Sequence, residues 1–175
     1  MERLSSDMTH DLAWLNTLPA EKAVKELLQC CGSERWGQEV ANRRPYQDLE
    51  ALVRTANDIW WSLQPADWLE AFRSHPKIGE KKAAESVSSQ SREWSVQEQA
   101  GVSNASLETV DSLATLNRAY EEKFGFIFII CASGKSPDEM LAALRERLNN
   151  DAAAELSIAA GEQSKITELR LKKLI

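Results

Sequence analysis

The chain has 175 residues, 43% of them hydrophobic, and its 27 acidic against 21 basic side chains give a formal charge of −6. Length and apolar content suit one substantial core, so a single domain over residues 1–175 is expected. Lysine and arginine are dispersed rather than gathered into a stripe, which argues against nucleic acid, and no apolar run approaches the roughly 20 residues that span a bilayer.

Helical punctuation recurs from end to end. Thr17 can cap a helix through Pro19, Ala23, Val24, Leu27 and Leu28, with Gly32 as its stop, and Ser33 starts a short second one. After Arg43-Arg44-Pro45, Asp48 can cap a longer helix whose apolar positions Leu49, Leu52, Val53, Ala56, Ile59, Trp60 and Leu63 keep helical spacing. Pro65-Ala66-Asp67 opens another, which must end near His75 because the residue before Pro76 is pushed out of the helical region. From Glu80 to Ser103 the pattern is irregular and polar, as in a loop flanked by helical pieces. Ser106 can begin a helix through Tyr120 that Gly125 stops. Phe126-Ile127-Phe128-Ile129-Ile130 then favours an extended backbone, and a lone extended segment must find partners for its peptide groups at helix ends, in water or on a ligand. Ser136-Pro137 opens a helix to Asn149, and Asp151 caps a last one reaching Leu174. The expected fold is all-α, a bundle of about seven or eight helices with one short extended segment near 126–132.

Three cysteines, Cys30, Cys31 and Cys131, form an odd set, two of them adjacent and badly placed to pair with each other. A reducing, cytoplasmic setting is expected. The N-terminus lacks a basic flank and apolar signal core, and the C-terminus is not the Ser-Lys-Leu peroxisomal address.

The usual cofactor signatures are missing. There is no Gly-x-Gly-x-x-Gly, no Walker loop, no Cys-x-x-Cys and no His-Glu-x-x-His, so chemistry without metal or organic cofactor is expected. Gly134-Lys135-Ser136 looks like the tail of a phosphate loop, but Ile129 stands where that loop needs its first glycine, and the triplet reads as a turn and helix cap. Of the two histidines, His10 lies in a polar stretch without an obvious partner, which leaves His75, beside the rigid Pro76, as the first candidate for proton transfer. Each candidate has an ordinary reading too. His75 can be a helix-ending residue bonded to a carbonyl, the commoner case on composition alone. Glu98 and Gln99 can be solvated helix positions; turned inward, Glu98 would orient His75 or accept from a substrate N–H, and Gln99 offers a donor and an acceptor to an amide-rich ring. Arg170 is either a surface charge near a helix C-terminus or a two-pronged clamp for a carboxylate. The six tryptophans are spaced as packing residues, and Cys131 reads as a small buried hydrophobe.

Together the segments Arg43-Arg44-Pro45-Tyr46, His75-Pro76-Lys77-Ile78-Gly79, Ser95-x-x-Glu98-Gln99, Phe124-Gly125-Phe126-Ile127-Phe128 and Lys165-Ile166-Thr167-Glu168-Leu169-Arg170-Leu171 resemble, in order and over nearly the whole chain, the OHCU decarboxylases. These act on 2-oxo-4-hydroxy-4-carboxy-5-ureidoimidazoline (OHCU), the last intermediate between urate and allantoin. The resemblance implies His75, Glu98 and Arg170 as catalytic residues and Pro76, Ser95, Gln99 and the run Phe128, Ile129, Ile130, Cys131 and Ala132 as the substrate-binding surface, partly through backbone groups. It also implies an all-helical homodimer that needs no cofactor. Ile127 departs from the proline that many members carry, freeing a backbone N–H. A non-catalytic helical interaction module and a decarboxylase of another ureido or hydantoin-like acid are the alternative readings.

Overall fold

The computed structural model describes residues 10–79 and 88–175. Among them are nine α-helices: α1 (Leu12–Thr17), α2 (Ala20–Leu27), α3 (Glu34–Asn42), α4 (Leu49–Ser62), α5 (Pro65–Phe72), α6 (Ser89–Glu98), α7 (Leu107–Phe124), α8 (Pro137–Arg147) and α9 (Ala152–Leu174). A 3-10 helix, Ala100–Asn104, joins α6 to α7. The caps account for most boundaries. Ser33, Asp48, Ser106, Ser136 and Asp151 each accept a hydrogen bond from the backbone N–H three residues on, and Gly125 ends α7 at φ 79°, a left-handed conformation that glycine adopts without strain.

The first helical segment differs from expectation. Asp11 caps the short α1, and Thr17 closes it by donating to the carbonyls of Ala13 and Trp14, so α2 starts after Pro19 and ends at Leu27, short of Gly32. Arg44 serves the same corner: its guanidinium donates to the carbonyls of Leu15 (2.6 Å), Leu18 (2.8 Å) and Ala41 (2.8 Å), satisfying helix-end acceptors. Tyr46 exchanges two backbone bonds with the Asn16 amide, both at 2.8 Å. The Arg43–Tyr46 motif therefore fastens α1 to the α3–α4 connection.

The stretch from Glu80 to Ser103, expected to be irregular with helical flanks, falls partly outside the described residues; within its described part Ser88 caps α6 and the 3-10 helix follows, so that part is mostly helical.

Two apolar clusters make the interior. One gathers Leu15, Leu27, Trp36, Leu52, Ile59, Trp60, Phe72 and Leu171 from α1–α5 and α9; the other gathers Leu113, Tyr120, Met140 and Leu144 from α7 and α8. Each such side chain taken out of water contributes about 1.5–3 kcal/mol before the entropy of ordering it. Trp36, Trp60 and Trp68 pack as expected, their indole N–H groups donating to the carbonyls of Ala56, Ala160 and Trp60.

The segment 126–132 lies between the two clusters. It is extended without a strand partner among the described residues, and its side chains alternate, Ile129 and Cys131 into the first cluster, Phe128, Ile130 and Ala132 into the second. Its peptide groups find side chains instead of a neighbouring strand. Arg147 of α8 donates to the Ile129 carbonyl (2.6 Å), and Glu162 of α9 accepts from the Cys131 N–H (2.8 Å). Arg147 is itself held by the buried Glu155 carboxylate (2.6 Å), which also receives the Tyr120 hydroxyl.

Candidate active site

His75 sits where α5 ends. Its N–H closes the last turn on the Phe72 carbonyl, and from Pro76 the chain crosses towards α7. Every part of this crossing is tied down. Lys77 reaches Glu121 (2.7 Å), the Ile78 carbonyl accepts from the Asn117 amide (3.1 Å), and the Gly79 N–H donates to the Gln99 side-chain oxygen (3.1 Å). Gly79 has φ 86°, a conformation that side chains resist. On the other side Gly32 packs so closely that a Cβ there would stand 2.5 Å from the Ser74 hydroxyl oxygen, so the turn bearing His75 rests on a position that only glycine fits.

Two helix faces complete the site. On α9, Gln163, Ile166, Thr167 and Arg170 follow i, i+3, i+4, i+7 and share one side; on α6, Ser91, Ser95 and Glu98 do the same. The faces join through Arg170. Its Nε and Nη2 meet the two Glu98 oxygens at 2.9 and 3.0 Å, a forked pair, while Nη2 also reaches the Ser95 hydroxyl (3.0 Å) and Nη1 the Gln29 carbonyl (3.3 Å). The pair is withdrawn from water, with 4% of the Arg170 side chain and 9% of the Glu98 side chain exposed. Ser95 in turn donates to the Ser91 carbonyl (2.9 Å).

A small hollow of about 20 Å³ lies at the seam of the two clusters. His75, Pro76, Ser95, Glu98 and Gln99 line one side, and Phe128, Ile129, Ile130 and Ala132 the other, with Ile78 and Ile166 between. Nine of the eleven residues expected at the site thus share one cavity. Cys131 is not on its wall: its side chain packs into the first cluster and its N–H is held by Glu162. Arg170 stands behind the wall, its guanidinium occupied by Glu98, Ser95 and Gln29.

The partner that His75 has is not Glu98 but Gln163, whose side-chain oxygen lies 2.6 Å from His75 Nε2. Sequence reading passed over Gln163 and Glu162. Gln163 precedes Arg170 by seven residues, two helical turns along the same face, a spacing that informs only once Arg170 is known to face inward.

Burial pushes the His75 imidazole down to about 3, with the Arg170 charge adding to the effect and the Gln163 bond opposing it. The ring is therefore neutral at physiological pH and holds a proton only weakly. Burial also acts to raise the Glu162 carboxyl, but the Cys131 N–H and the Lys165 ammonium outweigh it and keep that group below the usual range. Burial raises the Cys31 thiol to about 12 and moves Cys30 and Cys131 in the same direction, which makes all three cysteines poor nucleophiles. Chemically the hollow offers a neutral imidazole, a carboxylate fixed by an arginine fork, amide and hydroxyl groups, and apolar walls. Among the described residues no three His, Cys, Asp or Glu side chains converge as metal ligands, and no helix is long and apolar enough to cross a membrane.

The family model for OHCU decarboxylase matches residues 16–172. The uric acid degradation bifunctional protein TTL of Arabidopsis thaliana is 46% identical over 83% of this chain, which corresponds to 45% of that protein. A 2-oxo-4-hydroxy-4-carboxy-5-ureidoimidazoline decarboxylase of Amia calva is 33% identical over 75% of each chain. The chain spans less than half the length of the bifunctional relatives it matches. A crystal structure of an OHCU decarboxylase in the presence of (S)-allantoin superposes with a TM-score of 0.73 at 41% identity, covering 85% of this chain and 96% of that one. With a family model matched along nearly its whole length and the motif residues gathered around one hollow, this chain belongs to the OHCU decarboxylase family.

Proposed function

We propose that this chain decarboxylates OHCU to (S)-allantoin and carbon dioxide in urate breakdown, without a cofactor. The observation that carries the reading is the convergence of His75, Ser95, Glu98 and Gln99 on one hollow in a member of this family.

The reaction needs no external electron sink. When the bond from the ring carbon to the carboxylate breaks, carbon dioxide leaves and its electron pair enters the ring through the adjacent C=N, whose nitrogen takes up a proton. The hydroxyl on the former carboxyl-bearing carbon then gives up its proton as the carbonyl forms, and the neighbouring ureido-bearing carbon gains a C–H bond. Starting from the carboxylate, one proton is taken up overall. His75 accepts the hydroxyl proton and returns it to carbon on one face of the ring. Single-face delivery makes one enantiomer, (S)-allantoin.

Glu98 accepts from ureido N–H groups, with the Arg170 fork fixing the direction of its oxygens. Arg170 so placed is a positioning residue, and this suits the chemistry: a cation clamped on the departing carboxylate would stabilise the ground state and slow its loss. The Gln99 amide N–H groups, the Ser95 oxygen and the backbone of 128–132 read the ring edges, while Pro76 and the apolar wall exclude water. Cys131 contributes through its peptide group, by setting the course of that backbone. We read the protein as one domain over residues 1–175 that acts in the cytoplasm as a homodimer, with this small molecule as its partner rather than nucleic acid or membrane.

The test is circular dichroism of OHCU freshly made from urate by enzymes, with chelator-treated protein. A lasting (S)-allantoin signal appearing faster than the spontaneous decay supports the proposal; a spontaneous rate from folded protein rejects it.

A further inference from the structure

We infer that Thr167 and Gln163 form a relay that holds His75 as the Nε2–H tautomer, leaving Nδ1 as the ring atom that faces the substrate. Three hydrogen bonds make the relay, two within α9 and one from α9 to His75. The Thr167 hydroxyl lies 3.0 Å from the Gln163 main-chain carbonyl, one turn back, and gives its proton there. Its oxygen is thereby left to accept, and the Gln163 amide nitrogen, 3.1 Å away, donates to it. The Gln163 side-chain oxygen must then be the atom turned to His75 Nε2, at 2.6 Å. An amide oxygen only accepts, so that ring nitrogen carries the proton and Nδ1 carries the lone pair.

Among the described residues no buried side-chain nitrogen or oxygen lacks a hydrogen-bond partner, yet Nδ1 has no protein partner there. It must therefore be accessible, and the open space beside the ring is the hollow that His75 lines. Burial keeps the ring neutral, so one tautomer or the other exists at working pH and the choice between them matters. Gln163 and Thr167 reach the reaction through His75 alone and are positioning residues. The statement that Nδ1 meets the substrate rests on the proposed decarboxylation, but the tautomer itself is a property of the free protein.

The chain has only two histidines, which makes the test direct. The full chain is labelled with nitrogen-isotope histidine, and a long-range proton–nitrogen correlation is recorded at neutral pH without substrate, with His75→Gln giving the assignment. The expected pattern is a protonated Nε2 and an unprotonated Nδ1. Gln163→Glu, which still presents an oxygen, keeps it. Gln163→Leu mixes the tautomers and lowers kcat at least tenfold with KM changed less than threefold. Should Gln163→Leu not fold, Thr167→Val serves, because it frees the amide to turn. An Nδ1–H pattern in the wild-type protein overturns the inference. So does an unmixed Nε2–H pattern in folded Gln163→Leu or, in its place, Thr167→Val. Absence of turnover with the expected spectrum would reject the decarboxylase proposal and leave the relay standing.

Discussion

Arg170→Met gives the sharpest test of how the site is held. Methionine keeps most of the stem volume but removes the guanidinium, whose four contacts reach Glu98, Ser95 and the Gln29 carbonyl at 2.9–3.3 Å. Glu98, with 9% of its side chain exposed, is then left without its counter-charge. Removing one partner of such a pair costs about 3–5 kcal/mol, a large part of the ~5–15 kcal/mol that holds a domain together. For a chain of this length each kcal/mol moves Tm by about 2–4 °C, so the melting point should fall by roughly 6–20 °C. Glu98→Gln in the same background removes the orphaned charge and should restore at least ~1 kcal/mol beyond additivity. Arg170→Lys keeps the charge but not the fork and should fall between. The assay is thermal and urea unfolding of the four members of the cycle, with steady-state kinetics beside it. An Arg170→Met melting point within about 2 °C of wild type, or strictly additive variants, would refute the view of this pair as the clamp between α6 and α9.

Three further outcomes are expected. With the His75 value held down to about 3 in the folded protein and near 6.5 when unfolded, the unfolded chain binds the extra proton, so this residue's contribution to stability is complete above about pH 6.5 and lost progressively towards pH 3. Between pH 7.5 and 5.5 wild type should therefore lose on the order of 1 kcal/mol more than His75→Gln in urea titrations, and identical losses would contradict the assignment. Gly32→Ala forces a Cβ against Ser74 and should cost about 1–3 kcal/mol and depress kcat by shifting the His75 turn; unchanged melting and turnover would show that the contact yields freely. Glu162→Ala strands the Cys131 N–H and should cost about 1–3 kcal/mol and raise KM, with Glu162→Gln largely restoring both; equal behaviour of the two variants would count against an anchoring role.

The legible parts of the fold were those with local causes. Ser33, Asp48, Ser106, Gly125, Ser136 and Asp151 punctuate the helices where the sequence places them, because capping is chemistry between near neighbours. Segment 126–132 was recognisable as extended from its side chains, but its alternation between two clusters depends on helices distant in sequence. Helix α6 was legible only as a helical piece beside a loop, because its inward face carries Ser91, Ser95 and Glu98 beside Trp94, so polar residues occupy positions that normally report an apolar stripe. Asp11 and the short α1 were missed for want of length.

At the site, His75 and the residues of the hollow were legible from motif resemblance. Gln163 and Glu162 were not, since nothing local separates a glutamine or glutamate facing inward on α9 from its solvated neighbours. Of the alternatives open for Glu98 and Arg170, the structure joins the two to each other: the Arg170 fork clamps the Glu98 carboxylate, and Gln163 rather than Glu98 meets His75.

The decisive measurement for His75 as the proton-transfer residue is turnover of fresh OHCU by His75→Ala, followed by circular dichroism beside wild type. With His75 as the proton-transfer residue, the variant keeps the helical spectrum and loses at least ~100-fold in rate, and the remaining decay yields no enantiomeric excess of allantoin. A folded His75→Ala protein that still makes (S)-allantoin at near wild-type rate would contradict that role.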